Sequence, residues 1–142
     1  MDDTAEGRRP VRQLRIVVEA EDYDEALAFF RDVLGLPEQE SYEGDGGARV
    51  AILDAGRATL ELANPAQKAM IDEVEVGRPV APRIRLAFEV DDGRRVTARL
   101  VEAGAELIAP PTVTPWNSLN SRLATPADLQ VTVFQELGED AV

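Results

Sequence analysis

The sequence predicts an α+β fold in which two β-α-β-β-β modules form curved sheets around a cleft. The first observation is an internal repeat: residues 14–22 read LRIVVEAED and residues 84–92 read IRLAFEVDD, with Arg, Glu and Asp at matching positions. The second is that a helical pattern follows each copy. The third is that three short strand-like runs follow each helix. A repeated order of elements indicates two similar units that share one fold.

Each repeated segment alternates as a strand does. In the first copy, one face is apolar and suited to packing on a helix. The opposite face carries Gln13, Arg15, Val17 and Glu19. Helices are expected over residues 24–34 and 94–103, where apolar residues recur at helical spacing. Gly35 and Gly104 follow these helices and are expected to adopt the left-handed conformation that caps a helix.

The remaining strands are predicted from short apolar or alternating runs between turn residues. They cover residues 38–43, 49–53 and 58–63 in the first half and residues 106–109, 121–124 and 130–135 in the second. A short helix is expected around residues 66–74. The predicted organisation is a flexible N-terminus (1–10), a first module (11–64), a linker (65–82), a second module (83–137) and a C-terminal tail (138–142).

Composition excludes several classes of site. The chain has no cysteine and no histidine, so disulfides, thiolate nucleophiles, Ser-His-Asp triads and histidine metal ligands are all ruled out. The formal net charge of -12 disfavours nucleic acid and anionic membranes as partners. No apolar run approaches the roughly 20 residues that span a bilayer. Residues 1–10 carry no hydrophobic signal core, which favours a cytoplasmic location.

Three segments together resemble one family. The run IRLAFEVDD, the helix DEALAFFRDVLGL and the ending TPWNSLNSRLATPADLQVTVFQE are similar to the vicinal-oxygen-chelate superfamily of glyoxalases, bleomycin-resistance proteins and extradiol dioxygenases. The similarity covers residues 11–137. In metal-dependent members, the first strand of each module supplies a His or Gln ligand and the last strand a Glu. The corresponding positions here are Arg15, Glu61, Arg85 and Thr132, and an alignment on the apolar run replaces Arg15 by Gln13.

These four residues are unsuited to a divalent metal. A guanidinium is permanently cationic and has no lone pair to donate, and two of them repel a cation at short range. We therefore expect no metal and no cofactor, and we do not expect the metal-dependent glyoxalase, epimerase or dioxygenase reactions.

Two interpretations of the former metal pocket remain open. In the first, Arg15 or Arg85 pairs with Glu61 and the ion pair fills the pocket. In the second, Arg15, Arg85 and Thr132 bind a carboxylate, phosphate or enolate group of a small ligand. The two are compatible if only one arginine pairs with Glu61.

Other candidate ligand contacts come from the second strand and from the loop after residue 113. Trp116 is the only tryptophan, and it either forms an aromatic wall of the cleft or packs its loop onto the core. Asn117, Asn120 and Arg122 offer polar contacts nearby in sequence, and Tyr42 is expected to reach the cleft from the second strand.

The function that these features favour is metal-independent binding of a small organic molecule, a drug-like compound or a metabolite. The alternative is an enzyme, a lyase or isomerase that uses Glu61 as a base and Arg15 or Arg85 to stabilise an oxyanion. A third interpretation is a non-catalytic regulatory dimer. The resemblance implies a homodimer in each case.

Overall fold

The computed structural model describes residues 13, 15–59 and 61–138 and shows an α+β fold with two sheets and three α-helices. The elements are α1 (Tyr23–Leu27), β1 (Glu38–Glu43), β2 (Arg49–Leu53), α2 (Pro65–Glu75), β3 (Leu86–Glu89), α3 (Gly93–Glu102), β4 (Glu106–Val113), β5 (Ser118–Thr125) and β6 (Leu129–Glu136). The predicted flexible N-terminus and most of the C-terminal tail lie outside the described residues. No described helix is long and apolar enough to cross a membrane.

The second half of the chain forms a four-stranded sheet in the order β3-β6-β5-β4. Strand β3 runs parallel to β6, and the other neighbours are antiparallel. Helix α3 packs on one face, where its fully buried Leu100 meets Leu123, Val131 and Val133. The side chains of β5 and β6 alternate between two faces, so one set of residues faces α3 and the other set faces away from it.

The first half of the chain forms a smaller, two-stranded sheet. Strands β1 and β2 pair as a hairpin with the predicted bounds. The strands predicted from residue 14 and over residues 58–63 are wrong for the part that the structure describes, because residues 15–20, 58–59 and 61–63 form no strand there. Val17 and Leu62 in these segments are 90% and 86% exposed. A strand needs a neighbour for its backbone N–H and C=O groups, and neither segment has one in the described structure.

The first predicted helix continues beyond α1 with a wider turn. After Leu27 the backbone forms a π-helix over Ala28–Val33, which buries Phe29 and Phe30 against each other in an edge-to-face pair. The glycines expected to cap the helices are confirmed, since Gly35 and Gly104 have φ angles of 94° and 111°.

Helix α2 lies against the sheet face opposite α3. Asn64 caps its first turn by accepting a hydrogen bond from the backbone N–H of Gln67 at 2.9 Å, and Pro65 begins the helix. The predicted linker helix is therefore confirmed, and it is more than a linker: its inward side meets the side chains of β5 that point away from α3. This packing creates the site described next.

Candidate functional site

Arg122 lies at the centre of a buried polar cluster between α2 and β5. Its side chain is fully buried, and a buried guanidinium requires hydrogen-bonding partners. The Nη1 atom donates to Asp72 Oδ1 and to Gln130 Oε1, both at 2.9 Å, and Nη2 donates to Glu75 Oε1 at 2.7 Å. The Nε atom has no acceptor among the described residues. Two carboxylates of α2 thus hold one arginine of the sheet.

The two α2 carboxylates have different surroundings. Asp72 Oδ2 also accepts hydrogen bonds from the backbone N–H groups of Val80 and Ala81, each at 2.9 Å. Glu75 Oε2 accepts one hydrogen bond, from Asn120 Nδ2 at 2.7 Å. Asp72 is therefore fixed by both the sheet and the chain after α2, whereas Glu75 is held by two side chains of β5.

The pKa of Asp72 lies below its ordinary value. Burial acts to raise it, but the amide of Ala81, the Arg122 guanidinium and the amide of Val80 together outweigh burial and lower it. Asp72 is therefore a carboxylate in the folded protein at neutral pH.

Arg85 lies beside this cluster and is half-buried. Its Nη1 donates to the hydroxyl of Thr132, and no described carboxylate forms an ion pair with it. Burial lowers the pKa of Arg85, and the positive charge of Arg122 lowers it further, while the carboxylates of Glu75, Asp72 and Glu61 act in the opposite direction. Arg85 is thus a cation in an environment that disfavours its charge.

The structure brings four of the predicted site residues together. Arg122 and Thr132 are directly paired across β5 and β6, Asn120 is two residues from Arg122 on the same face, and Arg85 reaches Thr132 from the start of β3. We call this surface the polar face; it consists of Arg85, Asn120, Arg122, Gln130 and Thr132. It is the sheet surface against which α2 packs.

The other predicted residues lie elsewhere. Gln13, Arg15 and Glu61 are exposed, and Glu61 makes no ion pair with Arg15 or Arg85, so the pairing interpretation is wrong for these residues as described. Tyr42 is 58% exposed on β1 and donates its hydroxyl hydrogen to Glu40, whose hydrogen bond and charge raise the pKa of Tyr42. None of these four residues belongs to the polar face.

Trp116 and Asn117 form the turn between β4 and β5. Trp116 is 44% exposed, so it does not bury itself as a core plug. Asn117 has a φ angle of 67° and donates its side-chain N–H to the carbonyl of Gly138, while its own carbonyl accepts from Leu137. Asn117 therefore fastens the end of β6 to this turn.

Sequence reasoning missed Asp72, Glu75 and Gln130. The signal for the two acids was present in part: Asp72 lies in the predicted helix of residues 66–74, and Glu75 follows it directly. The three-residue spacing places both acids on one face of α2, which also carries the partly buried Ile71 and Val74. Acids that share a helix face with apolar residues indicate that the helix buries them against a cationic partner.

The family comparison agrees with the fold. The family model described as Glyoxalase/Bleomycin resistance protein/Dioxygenase superfamily matches residues 12–133. The chain belongs to this superfamily. A search of the curated proteins found no match.

Several solved structures have a similar fold at low sequence identity. TnmS3, an antibiotic binding protein from Streptomyces sp. CB03234, has a TM-score of 0.59 and 21% identity, over 91% of this chain and 99% of TnmS3. A glyoxalase-related enzyme from Fulvimarina pelagi has a TM-score of 0.53 and 18% identity, over 88% of each chain. A glyoxalase/bleomycin resistance protein from the same Streptomyces strain has a TM-score of 0.51 and 22% identity, over 82% of this chain and 93% of that protein. These likenesses show the fold.

The superfamily's metal chemistry does not fit the residues found here. Of the four positions, Arg15, Glu61, Arg85 and Thr132, two are guanidiniums. The two positions in the second module are hydrogen-bonded to each other, since Arg85 donates to Thr132. Guanidinium nitrogens cannot coordinate a cation. No group of three or more acidic residues in the described ranges could hold a metal ion. We therefore derive no metal-dependent step.

Two cavities of about 230 Å³ lie away from the polar face. One is lined by polar residues of α1, β1 and β2, including Tyr23, Tyr42 and Arg49. The other lies between the ends of the first and third helices, beside Phe29, Val33 and Gly104. Neither includes a residue of the polar face, because α2 covers that face.

Proposed function

We propose that this protein binds a small organic anion on the polar face without a metal ion, and that it sequesters the ligand rather than transforming it. The observation that carries the proposal is the environment of Arg85. Its side chain is half-buried, the charge of Arg122 acts on it, and among the described residues it binds the neutral hydroxyl of Thr132 and no carboxylate. An anionic ligand would offset both the cost of burying the Arg85 charge and its repulsion with Arg122. Hydrogen bonds between arginine and an anion are strong because both groups are charged.

The fold supports binding as a function in its own right. TnmS3 shares this fold and is an antibiotic binding protein, so the architecture is compatible with binding of a small molecule. This support is an analogy between folds, and the chemistry of the ligand must come from the residues of the polar face. The two arginines indicate an anion, and the hydroxyl and amide groups of Thr132 and Asn120 indicate a ligand with several acceptor oxygens.

The enzymatic alternative has less support. A general base must lie within hydrogen-bonding reach of the proton that it removes, and burial is what raises a glutamate toward a useful pKa. Glu61 is exposed. We therefore retain sequestration as the proposed function.

The test is ligand binding by a protein that has been treated with a chelator. A panel of aromatic carboxylates, phosphates and phosphonates, with neutral amides of the same shapes, is screened by thermal shift, and hits are measured by calorimetry. We expect anions to bind and neutral analogues not to bind. Arg85→Gln should weaken binding by roughly ten-fold or more, the scale of one charged hydrogen bond. The matched control is Arg83→Gln, since Arg83 is exposed two residues away.

Equal anion affinities for the wild-type protein and Arg85→Gln would contradict the proposed site. Elemental analysis of the untreated protein tests metal independence separately. A stoichiometric divalent metal whose removal abolishes ligand binding would contradict that part of the proposal.

We also propose that the protein is a homodimer. Segments outside the sheets expose large apolar side chains: Val17 and Leu62 in the first half are 90% and 86% exposed, and Ile84 at the start of the second half is 71% exposed. Apolar groups so exposed favour burial in an interface. Native mass spectrometry should give twice the chain mass, and Val17→Asp should shift the equilibrium toward the monomer. A wild-type protein that remains monomeric at micromolar concentration would refute the proposal.

A further inference from the structure

We propose that the carboxylate of Glu75 occupies the ligand's own carboxylate site and that a bound organic carboxylate displaces it. This inference rests on the proposed function, because it names the chemical class of the ligand on the polar face. The carboxylate site is defined by two donors on β5, Arg122 Nη2 and Asn120 Nδ2. Glu75 fills it from the last residue of α2.

The geometry of this site suits any carboxylate. Glu75 Oε1 accepts from Arg122 Nη2 at 2.7 Å, and Glu75 Oε2 accepts from Asn120 Nδ2 at 2.7 Å. Each oxygen therefore has one short donor, and the donor on the Arg122 side is charged. Asn120 is itself oriented by Ser118, whose hydroxyl donates to Asn120 Oδ1 at 2.7 Å. This hydrogen bond directs the amide N–H₂ group toward the carboxylate, so the site is built before any ligand arrives.

Glu75 can leave this site at lower cost than Asp72. Asp72 accepts from Arg122 Nη1 and from the amides of Val80 and Ala81, so moving it would disrupt the chain after α2. Glu75 has only the two β5 donors as hydrogen-bonding partners in the described structure. It is also the last residue of α2, close to Gly77 with a φ angle of 91°, where the helix already ends. A ligand carboxylate would replace both hydrogen bonds that Glu75 gives up.

Charge selects the ligand class. The cluster holds two cations, Arg122 and Arg85, and two α2 anions, Asp72 and Glu75. Exchanging Glu75 for an external carboxylate keeps Arg122 neutralised on both of its terminal nitrogens. A neutral molecule in the same place would leave a fully buried guanidinium with one anion fewer, which is costly. The carboxylate site therefore favours organic carboxylates and rejects their esters and amides.

The experiment compares Glu75→Ala with a matched control, Glu73→Ala, using benzoate as the probe and methyl benzoate as its neutral analogue. Glu73 is exposed on the same helix. We expect Glu75→Ala to bind benzoate roughly ten-fold more tightly than the wild-type protein, because the competing carboxylate is gone. Glu73→Ala should match the wild type, and methyl benzoate should bind none of the three.

Glu75→Ala leaves a hole that benzoate could fill even if the role of Glu75 is purely structural. A second measurement is therefore made on the wild-type protein, which has no such hole. In ¹H–¹⁵N spectra, the side-chain amide signals of Asn120 should move when benzoate is added to the wild type. Amide hydrogen exchange at the end of α2 should accelerate at the same time as Glu75 is released. Added to Glu75→Ala, Asn120→Ala should abolish the gain in benzoate affinity. Made in the wild-type protein, it should abolish the faster hydrogen exchange at the end of α2.

The outcomes separate the two proposals. If the anion panel binds the wild type and Glu75→Ala equally, or leaves Asn120 unmoved, the carboxylate site is refuted while anion binding on the polar face stands. If no anion binds either protein, the proposed function and this inference both fail. If Glu75→Ala does not fold, Glu75→Gln replaces it because glutamine keeps the shape of the side chain. The wild-type spectra still test whether benzoate displaces Glu75.

Discussion

Arg122 on β5 donates to Asp72 on α2 at 2.9 Å, across fifty positions of sequence and with both side chains almost fully buried. This ion pair and its neighbour from Glu75 attach α2 to the sheet through charge, on the face opposite the apolar core. A buried pair of this kind is strongly sensitive to the loss of one partner, because the remaining charge has no solvent to stabilise it.

Removing the cation alone should destabilise the protein severely. Arg122→Met leaves the buried carboxylates of Asp72 and Glu75 without the cation that they share, and we expect a loss of about 3–5 kcal/mol in the free energy of unfolding. Urea titration followed by circular dichroism measures it. Arg95→Met on the exposed side of α3 is the control and should change stability little. A loss below about 1 kcal/mol for Arg122→Met would show that α2 is not docked as described.

Replacing the whole cluster by apolar residues should restore most of that loss. Asp72→Leu combined with Glu75→Leu and Arg122→Met removes the buried guanidinium together with both carboxylates that bind it. Exchanges of this kind are often neutral or stabilising by about 1–4 kcal/mol. The same urea titration measures this variant. A triple variant as unstable as Arg122→Met would mean that the backbone hydrogen bonds to Asp72, and not the buried charges, hold α2 in place.

Stability should fall in acid through Asp72. Its pKa in the folded protein is below its ordinary value, so in the acid range the unfolded chain binds more protons than the folded one. The stabilisation is fully present above the ordinary aspartate pKa of about 3.9 and is lost as the pH falls through the lower folded value. Arg122 binds the same carboxylate, the charge of Asp72 also acts on Arg85, and Glu75 binds the other terminal nitrogen of Arg122. Unfolding free energies between neutral pH and acid should fall more steeply for the wild type than for Asp72→Asn, and parallel profiles would contradict this assignment.

The apolar core should respond as an independent unit. Leu100 is fully buried against β5 and β6, and Leu100→Ala should cost about 3–5 kcal/mol through lost contacts and the cavity left behind. Val101, the next residue on α3, is 39% exposed, so Val101→Ala serves as the control with a much smaller effect. Thermal and urea unfolding measure both. Similar losses for the two variants would contradict the packing of the Leu100 face of α3 against the sheet.

Any side chain at position 104 should lower the free energy of unfolding. The φ angle of Gly104 is 111°, and a Cβ there meets no atom within 4 Å, so the cost of Gly104→Ala comes from the backbone alone. We expect a loss of about 1–2 kcal/mol. Gly44→Ala is the matched control, since its φ angle is -133° and the added Cβ makes an ordinary contact of 3.6 Å with Ala48. Equal effects on the unfolding free energy would contradict the left-handed cap.

The local sequence pattern correctly predicted the elements whose contacts lie close together in the sequence. Strands β1 and β2 have the predicted bounds because turn residues delimit a hairpin on both sides. Strand β4 extends beyond the predicted residues 106–109, through Pro110 and Pro111 to Val113. It is an edge strand with an irregular register, so the missing N–H groups of the prolines need not break the ladder. The strands predicted at both ends of the first module failed because their partners depend on long-range pairing.

The candidate site was predictable only in part. Arg85 and Thr132 followed from the repeat and the family resemblance, and Asn120 and Arg122 from the polar run after Trp116. The contribution of α2 could not be read from either module, because the position of a connecting helix is set by tertiary packing. Only the three-residue spacing of Asp72 and Glu75 hinted at a buried acidic face.

Helix α2 joins the two repeats, yet it supplies both anions of the central cluster. Under the proposed function, mutations in this connector retune which anions the protein accepts while both duplicated units keep their sequences. Insertions or deletions between residues 61 and 82 would shift the two acids relative to Arg122 and change that proposed selectivity in one event. A small library confined to the joining segment would then be the shortest route to a new specificity in this scaffold.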